Sequence, residues 1–408
     1  MTTTLTPRRE RWLLITLAGI QFTNILDFMI MMPLGPELTT LFRISDAQFG
    51  LLVSAYTLAG GASGLLACTY IDKFDRKHLM LVLYGCFALS TLACGIASSY
   101  EALMVARISA GVFGGVLSAL GQTIVGDVIP FERRGRAMGV VMTSFSVSTV
   151  AGVPLGLFLA AHFGWHIPFI LIAATCVVFA VFAFLTLPAM RAHLTTQVPA
   201  SSWTRIREVM QDRNHLRAFA FSALIMFSGF TVIPYITIFM QANVGLRADE
   251  VPYVYLCGGV ATLITARWLG SLADRIGKFE TFRGIALVFL LPLIGLTLLG
   301  PVGLWGALAV STLFFVCGSG RMIPGMAMLT SAANPALRGT FMTLNSSVQS
   351  AAMGLAALVG GHIISRNAEG LVQYYWGAAL FGAVASLLAV WVGGSLNLHH
   401  AASKPPSP

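Results

Sequence analysis

The sequence predicts an all-α integral membrane protein with twelve transmembrane helices in two pseudo-symmetric halves of six. Three observations carry that prediction. Hydrophobic residues make up 56% of the 408 residues and charged ones 10%, with a mean hydropathy of +0.80, whereas about a quarter of a soluble domain is charged. Apolar runs long enough to cross about 30 Å of hydrocarbon recur along the whole chain. A charged turn between two such runs occurs twice, as Cys68-Thr69-Tyr70-Ile71-Asp72-Lys73-Phe74-Asp75-Arg76-Lys77 and as Gly270-Ser271-Leu272-Ala273-Asp274-Arg275-Ile276-Gly277-Lys278, about half a chain apart.

The apolar runs fall near 12–33, 47–69, 79–97, 101–127, 137–160 and 166–187, then near 217–240, 251–270, 281–300, 303–330, 340–364 and 372–395. Each is expected to be helical, because an isolated strand leaves backbone polar groups unpaired in lipid. The chain therefore divides into an N-terminal six-helix bundle (1–187), a linker (188–216), a C-terminal six-helix bundle (217–396) and a disordered tail (397–408). The first run continues into Pro33 and Pro36 without a small-residue cleavage site, so it is read as a retained span. In the linker, Ser201-Ser202-Trp203 can start a short helix presenting Trp203, Ile206 and Met210 to the membrane surface beside Arg205 and Arg207; a plain loop is the alternative. Gly60, Gly61 and Gly64, Gly111, Gly114 and Gly115, and Gly152 and Gly156 sit at helical spacing, where small residues let neighbouring helices approach closely. Pro154 lacks a backbone donor and is expected to kink the fifth span.

A net charge of +9 in a soluble protein would point to nucleic acid, so the placement of the charge decides. Most Lys and Arg residues lie in connections on one side, among them Arg8, Arg9, Arg11, Lys73, Arg76, Lys77, Arg133, Arg134, Arg136, Arg275, Lys278, Arg283 and Arg338. The other side has Arg43, Arg247 and Arg366. Cytoplasmic loops carry such an excess, which places both termini in the cytoplasm and excludes a nucleic-acid partner. The cysteines lie in or at the ends of apolar runs without a C-x-x-C pair, so neither a disulfide framework nor a zinc site is expected, and His399-His400 is weak evidence for metal. No P-loop, H-E-x-x-H or G-x-S-x-G motif occurs. No enzyme activity and no cofactor are expected.

Twelve spans in two halves, a long central connection and the repeated charged turn resemble the major facilitator superfamily over nearly the whole chain. The family turn reads approximately G-x-x-x-D-R-x-G-R-K; Asp72, Lys73, Arg76 and Lys77 match it, while Cys68 and Asp75 replace its glycines. The second copy, with Gly270, Asp274, Arg275, Gly277 and Lys278, is the cleaner match. Arg107 to Gly111 resembles the fourth-span R-x-x-x-G motif, and Asp127-Val128-Ile129-Pro130 its cytoplasmic end. Gly152-Val153-Pro154-Leu155-Gly156 is similar to the fifth-span antiporter motif of drug/proton exporters, although Ser148 replaces the first glycine and Val153 separates Gly152 from Pro154. The resemblance implies a conformational latch: Asp72 against the N-terminus of the eleventh helix, Arg76 reaching Asp127, and Asp274 with Arg275 and Gly277 against the fifth helix as the mirror pair. A solvated loop is the alternative.

Asp27 is the one carboxylate well inside an apolar run. Burial favours the neutral carboxyl and a nearby cation favours the charged one, so a gated partner would let Asp27 take up and release a proton. Arg107 lies at comparable depth, and in the resembled fold the first and fourth helices line one cavity. Asp27 and Arg107 are therefore the candidate proton-coupling pair, with a static ion pair as the alternative. Arg321 has no carboxylate deep enough in its half to neutralise it and is expected to face the cavity and hold a substrate group. Gln21, Asn24, Gln122, Tyr235, Asn345 and Gln349 are further candidates for substrate contact, or for interhelical hydrogen bonds. One buried acid against three intramembrane arginines, Arg107, Arg321 and Arg267, the last able to reach the interface and read as structural, argues towards anionic, zwitterionic or neutral solutes.

These readings converge on a secondary active transporter, a monomer in a bacterial inner membrane, exporting a small organic solute against protons by alternating access. A facilitator, a proton-coupled importer and a non-transporting sensor on the same fold are the alternatives.

Overall fold

The computed structural model describes residues 6–71, 74–129, 131–188, 202–334 and 337–398. Polar turn residues start the helices where the apolar runs begin. Ser45 caps α3 (Asp46–Tyr70): its Oγ accepts from the Gln48 N–H at 3.2 Å, and the Ser45 N–H donates to Gln48 Oε1 at 2.9 Å, so two orphan donors are satisfied reciprocally. Asp75 caps α4 (Arg76–Gly95) through the Lys77 N–H at 3.0 Å, and Ser99 caps α5 (Tyr100–Val128) through the Ala102 N–H at 3.2 Å. Asp75, one of the two departures from the family turn, thus serves as a helix cap. Asp72 and Lys73 lie outside the described residues, as do most of the linker (189–201) and the tail from 399 onwards.

The first group of helices is completed by α1 (Pro7–Ile30), the short α2 (Gly35–Leu41), α6 (Phe131–Val147), α7 (Val153–Phe163) and α8 (His166–Thr186). The second contains α9 (Ser202–Gln211), α10 (Arg213–Phe230), α11 (Ile236–Ala242), α12 (Val251–Ile276), α13 (Lys278–Thr297), α14 (Gly303–Gly320), α15 (Met322–Ala332), α16 (Arg338–Ile363) and α17 (Tyr375–Gly394). Between α16 and α17 a small hairpin, β1 (Ser365–Arg366) and β2 (Val372–Gln373), pairs antiparallel in the register Ser365 to Gln373. Among the described residues, eleven helical segments are long and apolar enough to cross a membrane. The eleventh predicted span, α16, is not one of them: at 26 residues it has the length, but Thr343, Asn345, Ser346, Ser347, Gln349 and Ser350 make it more polar.

Some expected continuous spans are broken. The fifth consists of α6 and α7 joined by a π-helical turn, Ser148–Gly152, in which the Val153 N–H bonds to the Ser148 carbonyl. Pro154 donates no hydrogen bond, and the predicted kink is absorbed as this one-residue bulge just before it. The seventh span breaks between α10 and α11 through a 3₁₀ turn at Ile233–Tyr235, which contains Pro234. The tenth breaks at Arg321, where the following Pro324 cannot donate to Gly320. The surface helix of the linker forms as α9, with Trp203 and Met210 exposed, but Ile206 turns inward with the fully buried Val209 against the second group. His215 holds that corner: its Nε2 accepts from the Asn334 N–H at 3.0 Å, so its Nδ1 donates to the Val209 carbonyl at 3.3 Å.

The two groups meet chiefly along α3, which lies between α5 and α16. Glycines on the helices that face it explain the closeness. A methyl group on Gly111 or Gly115 of α5 would run into the carbonyl oxygens of Tyr56 and Gly60, and one on Gly361 of α16 would meet the Asp46 carbonyl at 3.0 Å. A second seam joins α7 and the π-helical turn to α12, where Val150 and Thr149 pack on Gly259. Gly115→Ala is accordingly expected to cost about 1–3 kcal/mol, read as a lower thermal unfolding midpoint in detergent, whereas Gly121→Ala, with open space at its Cβ position, leaves the midpoint unchanged.

Candidate functional site

Asp27 on α1 and Arg107 on α5 form an ion pair in the interior of the first helix group. Arg107 Nη1 donates to Asp27 Oδ2 at 3.0 Å and to the Asp27 carbonyl at 3.1 Å, and both side chains are 0% exposed. The guanidinium lies 4.3 Å from the centre of the Tyr56 ring, a cation–π contact, and Thr91 and Cys94 of α4 stand beside the pair. Both helices line one cavity, but the pair itself sits behind it, with Tyr56 and Asn24 between the pair and the open space. Tyr56 Oη donates to Asn24 Oδ1 at 3.2 Å, and Asn24 Nδ2 donates to the Gly114 carbonyl at 2.8 Å.

On the far side of Tyr56 and Asn24 is a cavity of about 150 Å3 between α1, α3, α5 and α16. Of the predicted contacts, Asn24 and Gln122 line it. Sequence reading missed Tyr56, Ser118, Thr343, Ser346, Ser347 and Ser350, which line it too. Thr343, Ser346, Ser350 and Met353 follow helical spacing along α16, a legible stripe whose direction was not legible. Gly60, Gly61, Gly64, Gly114 and Gly115, read as packing residues, also form its wall. Gln122 and Ser346 are exposed, so the cavity opens towards the face carrying the basic turns.

The opposite face is closed. Arg366 in β1 grips Asp46 at the start of α3 with two hydrogen bonds, Nη2 to Oδ1 at 2.7 Å and Nε to Oδ2 at 2.9 Å, and those bonds, chiefly, raise the Arg366 guanidinium above the usual arginine range. Nothing in the sequence marked this ion pair, whose partners are 320 residues apart. Tyr235 completes the closure. It is fully buried, donates to the Ala357 carbonyl at 2.5 Å and packs edge-on against Phe49 at 6.3 Å. Its expected place in substrate contact is therefore corrected: the break between α10 and α11 turns it into the seam.

Arg321 is corrected likewise. It points into the second helix group, where Nη2 donates to the Ile225 carbonyl at 3.1 Å, Nη1 to Ser386 Oγ at 3.4 Å, and the guanidinium lies 4.0 Å from the centre of the Phe289 ring. Carbonyl, hydroxyl and aromatic face take the place of a carboxylate. Asn345 is buried away from the cavity, and Gln349 donates to Ser222 Oγ of α10 at 2.8 Å. Gln21 borders a narrow cleft with Leu117 and Gln122.

At the basic face Arg76 forms an ion pair with Asp127, joining the start of α4 to the end of α5. Asp274 and Arg275 are exposed at the end of α12, and Asp274 has no ion pair among the described residues. Gly277 takes φ +101°, a conformation suited to glycine, and leads directly into α13. Gly152 and Gly156 face α1, where added methyl groups would meet Leu26 at 2.9 Å and Ile30 at 2.6 Å.

A helical membrane fold with a cavity at the junction of two helix groups, closed on one face and open on the other, is the architecture of a solute transporter. The chain belongs to the major facilitator superfamily, whose sequence model matches residues 17–357, and it is a transporter rather than an enzyme. Two uncharacterised transporters of this type from Bacillus subtilis are similar to it: YtbD, 26% identical over 84% of this chain and 85% of its own, and YceJ, 24% identical over 95% of each. Among solved structures, a D-xylose–proton symporter matches with a TM-score of 0.74 at 16% identity, covering 94% of this chain and 97% of that one. A bacterial homolog of the human lysosomal transporter Spinster, in an inward-facing and unoccupied conformation, matches with a TM-score of 0.73 at 16% identity, covering 96% and 98%.

The ion pairs suggest two measurements. Arg107→Gln strands a buried carboxylate and is expected to destabilise the protein by about 3–5 kcal/mol, and Asp27→Asn added to it recovers most of that loss in a detergent melting experiment. Arg366→Gln is expected to broaden the distance distribution between spin labels at Thr40 and Glu369, which flank the closed face.

Proposed function

We propose that the protein is a proton-coupled exporter of a small organic solute, a monomer of a bacterial inner membrane that alternates access by moving its two halves, 1–187 and 217–396, about the 188–216 linker. The observation that carries this reading is the fully buried Asp27–Arg107 pair one hydrogen-bonded layer behind the cavity. A carboxylate there is costly unless Arg107 holds it. A proton arriving on Asp27 cancels the pair and leaves the guanidinium against Tyr56. Tyr56 bonds to Asn24, which borders the cavity, so a solute contacting Asn24 and a proton on Asp27 act on the same side chains. That shared contact is a route for coupling.

Direction is inferred from charge placement. Basic loops belong in the cytoplasm, so both termini and the open mouth of the cavity face inward, ready to load solute for export. The fifth-span motif, with Gly152, Pro154 and Gly156, supports the antiporter reading by its likeness to exporters. In this scheme Asp72, Arg76 and Asp127 form the inner latch, with Asp274, Arg275 and Gly277 as its counterpart in the second half; in the present inward-open arrangement the exposed Asp274 is disengaged.

The test is retention of labelled metabolites, dyes and antibiotics by an efflux-deficient bacterium. Wild type is expected to lower retention of at least one compound, with an uncoupler or Asp27→Asn slowing that efflux roughly tenfold or more at equal expression. Undiminished export by Asp27→Asn assigns Asp27 a structural role, and raised retention by wild type reverses the direction.

A further inference from the structure

We infer that the cavity between α1, α3, α5 and α16 selects an uncharged, ring-sized solute carrying several hydroxyl or amide groups. This rests on the cavity being the transport site. None of its lining residues is Asp, Glu, Lys, Arg or His. The intramembrane arginines do not reach it: Arg107 pairs with Asp27 behind Tyr56, Arg321 is held by Ile225, Ser386 and Phe289 inside the second group, and Arg267 is not part of the lining. Asp27 is screened by the same layer of Tyr56 and Asn24. A charged solute would give up hydration here and find no countercharge, which costs several kcal/mol.

What the cavity offers instead is unspent hydrogen bonding. Ser118 and Gln122 on α5 and Ser346, Ser347 and Ser350 on α16 line it from two facing helices, and their side chains bond to no other group among the described residues. Hydroxyls and an amide both donate and accept, so a solute hydroxyl or amide finds partners in either sense. Its deep end is apolar and flat: Phe28 stacks with Tyr56 at 5.5 Å and with Phe230 of the second group at 6.0 Å. A ring with polar edges and one apolar face matches that floor and those walls. The volume of about 150 Å3 is the size at which a dry engineered cavity accepts benzene, and so admits one ring rather than a polycyclic drug.

Binding to purified protein in detergent tests this directly, with glucose and uracil as neutral probes, glucuronate and glucosamine as charged relatives of the first, and tetraphenylphosphonium as a lipophilic cation. At least one neutral probe is expected to bind, and the charged sugars and the phosphonium at least tenfold more weakly. Gln122→Ala is expected to weaken the neutral probe roughly tenfold, about 1.4 kcal/mol, while Ser350→Asp improves glucosamine relative to glucose. Tighter binding of glucuronate, glucosamine or the phosphonium to wild type overturns the inference, as does failure of both neutral probes to bind protein that elutes as a single species. Binding is read without a proton gradient, so loss of coupled export in cells and loss of this selectivity are separate results.

Discussion

The close approach of α3 to both α5 and α16 is the constraint on which the rest of the molecule depends. Lipid tails are as apolar as leucine, so helices in a bilayer gain little by merely hiding apolar surface and rely on contact and hydrogen bonding. Gly60 on α3 meets Gly111 and Gly115 on α5 backbone to backbone, and on its other side α3 rests on the small residues of α16. That placement brings Tyr56 over Arg107 and within reach of Asn24. It also leaves room for the cavity, because residues without side chains form one wall of it.

Polar chemistry is distributed unequally between the two helix groups. In the first, acid and base are paired and sit one layer from the cavity. In the second, Arg321 is held by a carbonyl, a hydroxyl and an aromatic ring, none of which titrates in the physiological range. The repeated turns differ in the same way: Arg76 pairs with Asp127, whereas Asp274 and Arg275 stand exposed. Among the described residues, the buried acid–base pair therefore lies in the first group, whereas the second holds its buried arginine without a carboxylate.

Much of this was legible in the sequence for physical reasons. An acid in an apolar run demands a partner, which made Asp27 and Arg107 readable together, and apolar length made the spans readable. The hidden features depended on helix phase. The π-helical turn shifts the phase of α7 against α6, and Tyr235 lies in the 3₁₀ turn that ends α10; Arg321 keeps the register of α14, bonded to the Cys317 carbonyl, but no pattern in the sequence told which neighbours that register faces. Ser118, Ser346 and Ser350 were missed because serine in a membrane helix is usually content with its own backbone. Nothing in the sequence singled out Asp46, and its partner Arg366 lies in a hairpin that no periodicity announces.

The bulge at Ser148–Gly152 gives the fifth span a property of counting. Each residue of an α-helix advances about 100°, so one extra residue sets α7 about a third of a turn out of register with α6. Gly152 and Gly156 face α1 because of that offset, while Thr149 and Val150 meet Gly259 of the second group. A chain lacking one residue here would form a straight span and swing those glycines off α1. The spacing between the basic end of this helix and its glycines is therefore itself a carrier of information, and relatives that share the glycines but differ by one residue in that interval would present a different seam to the second group.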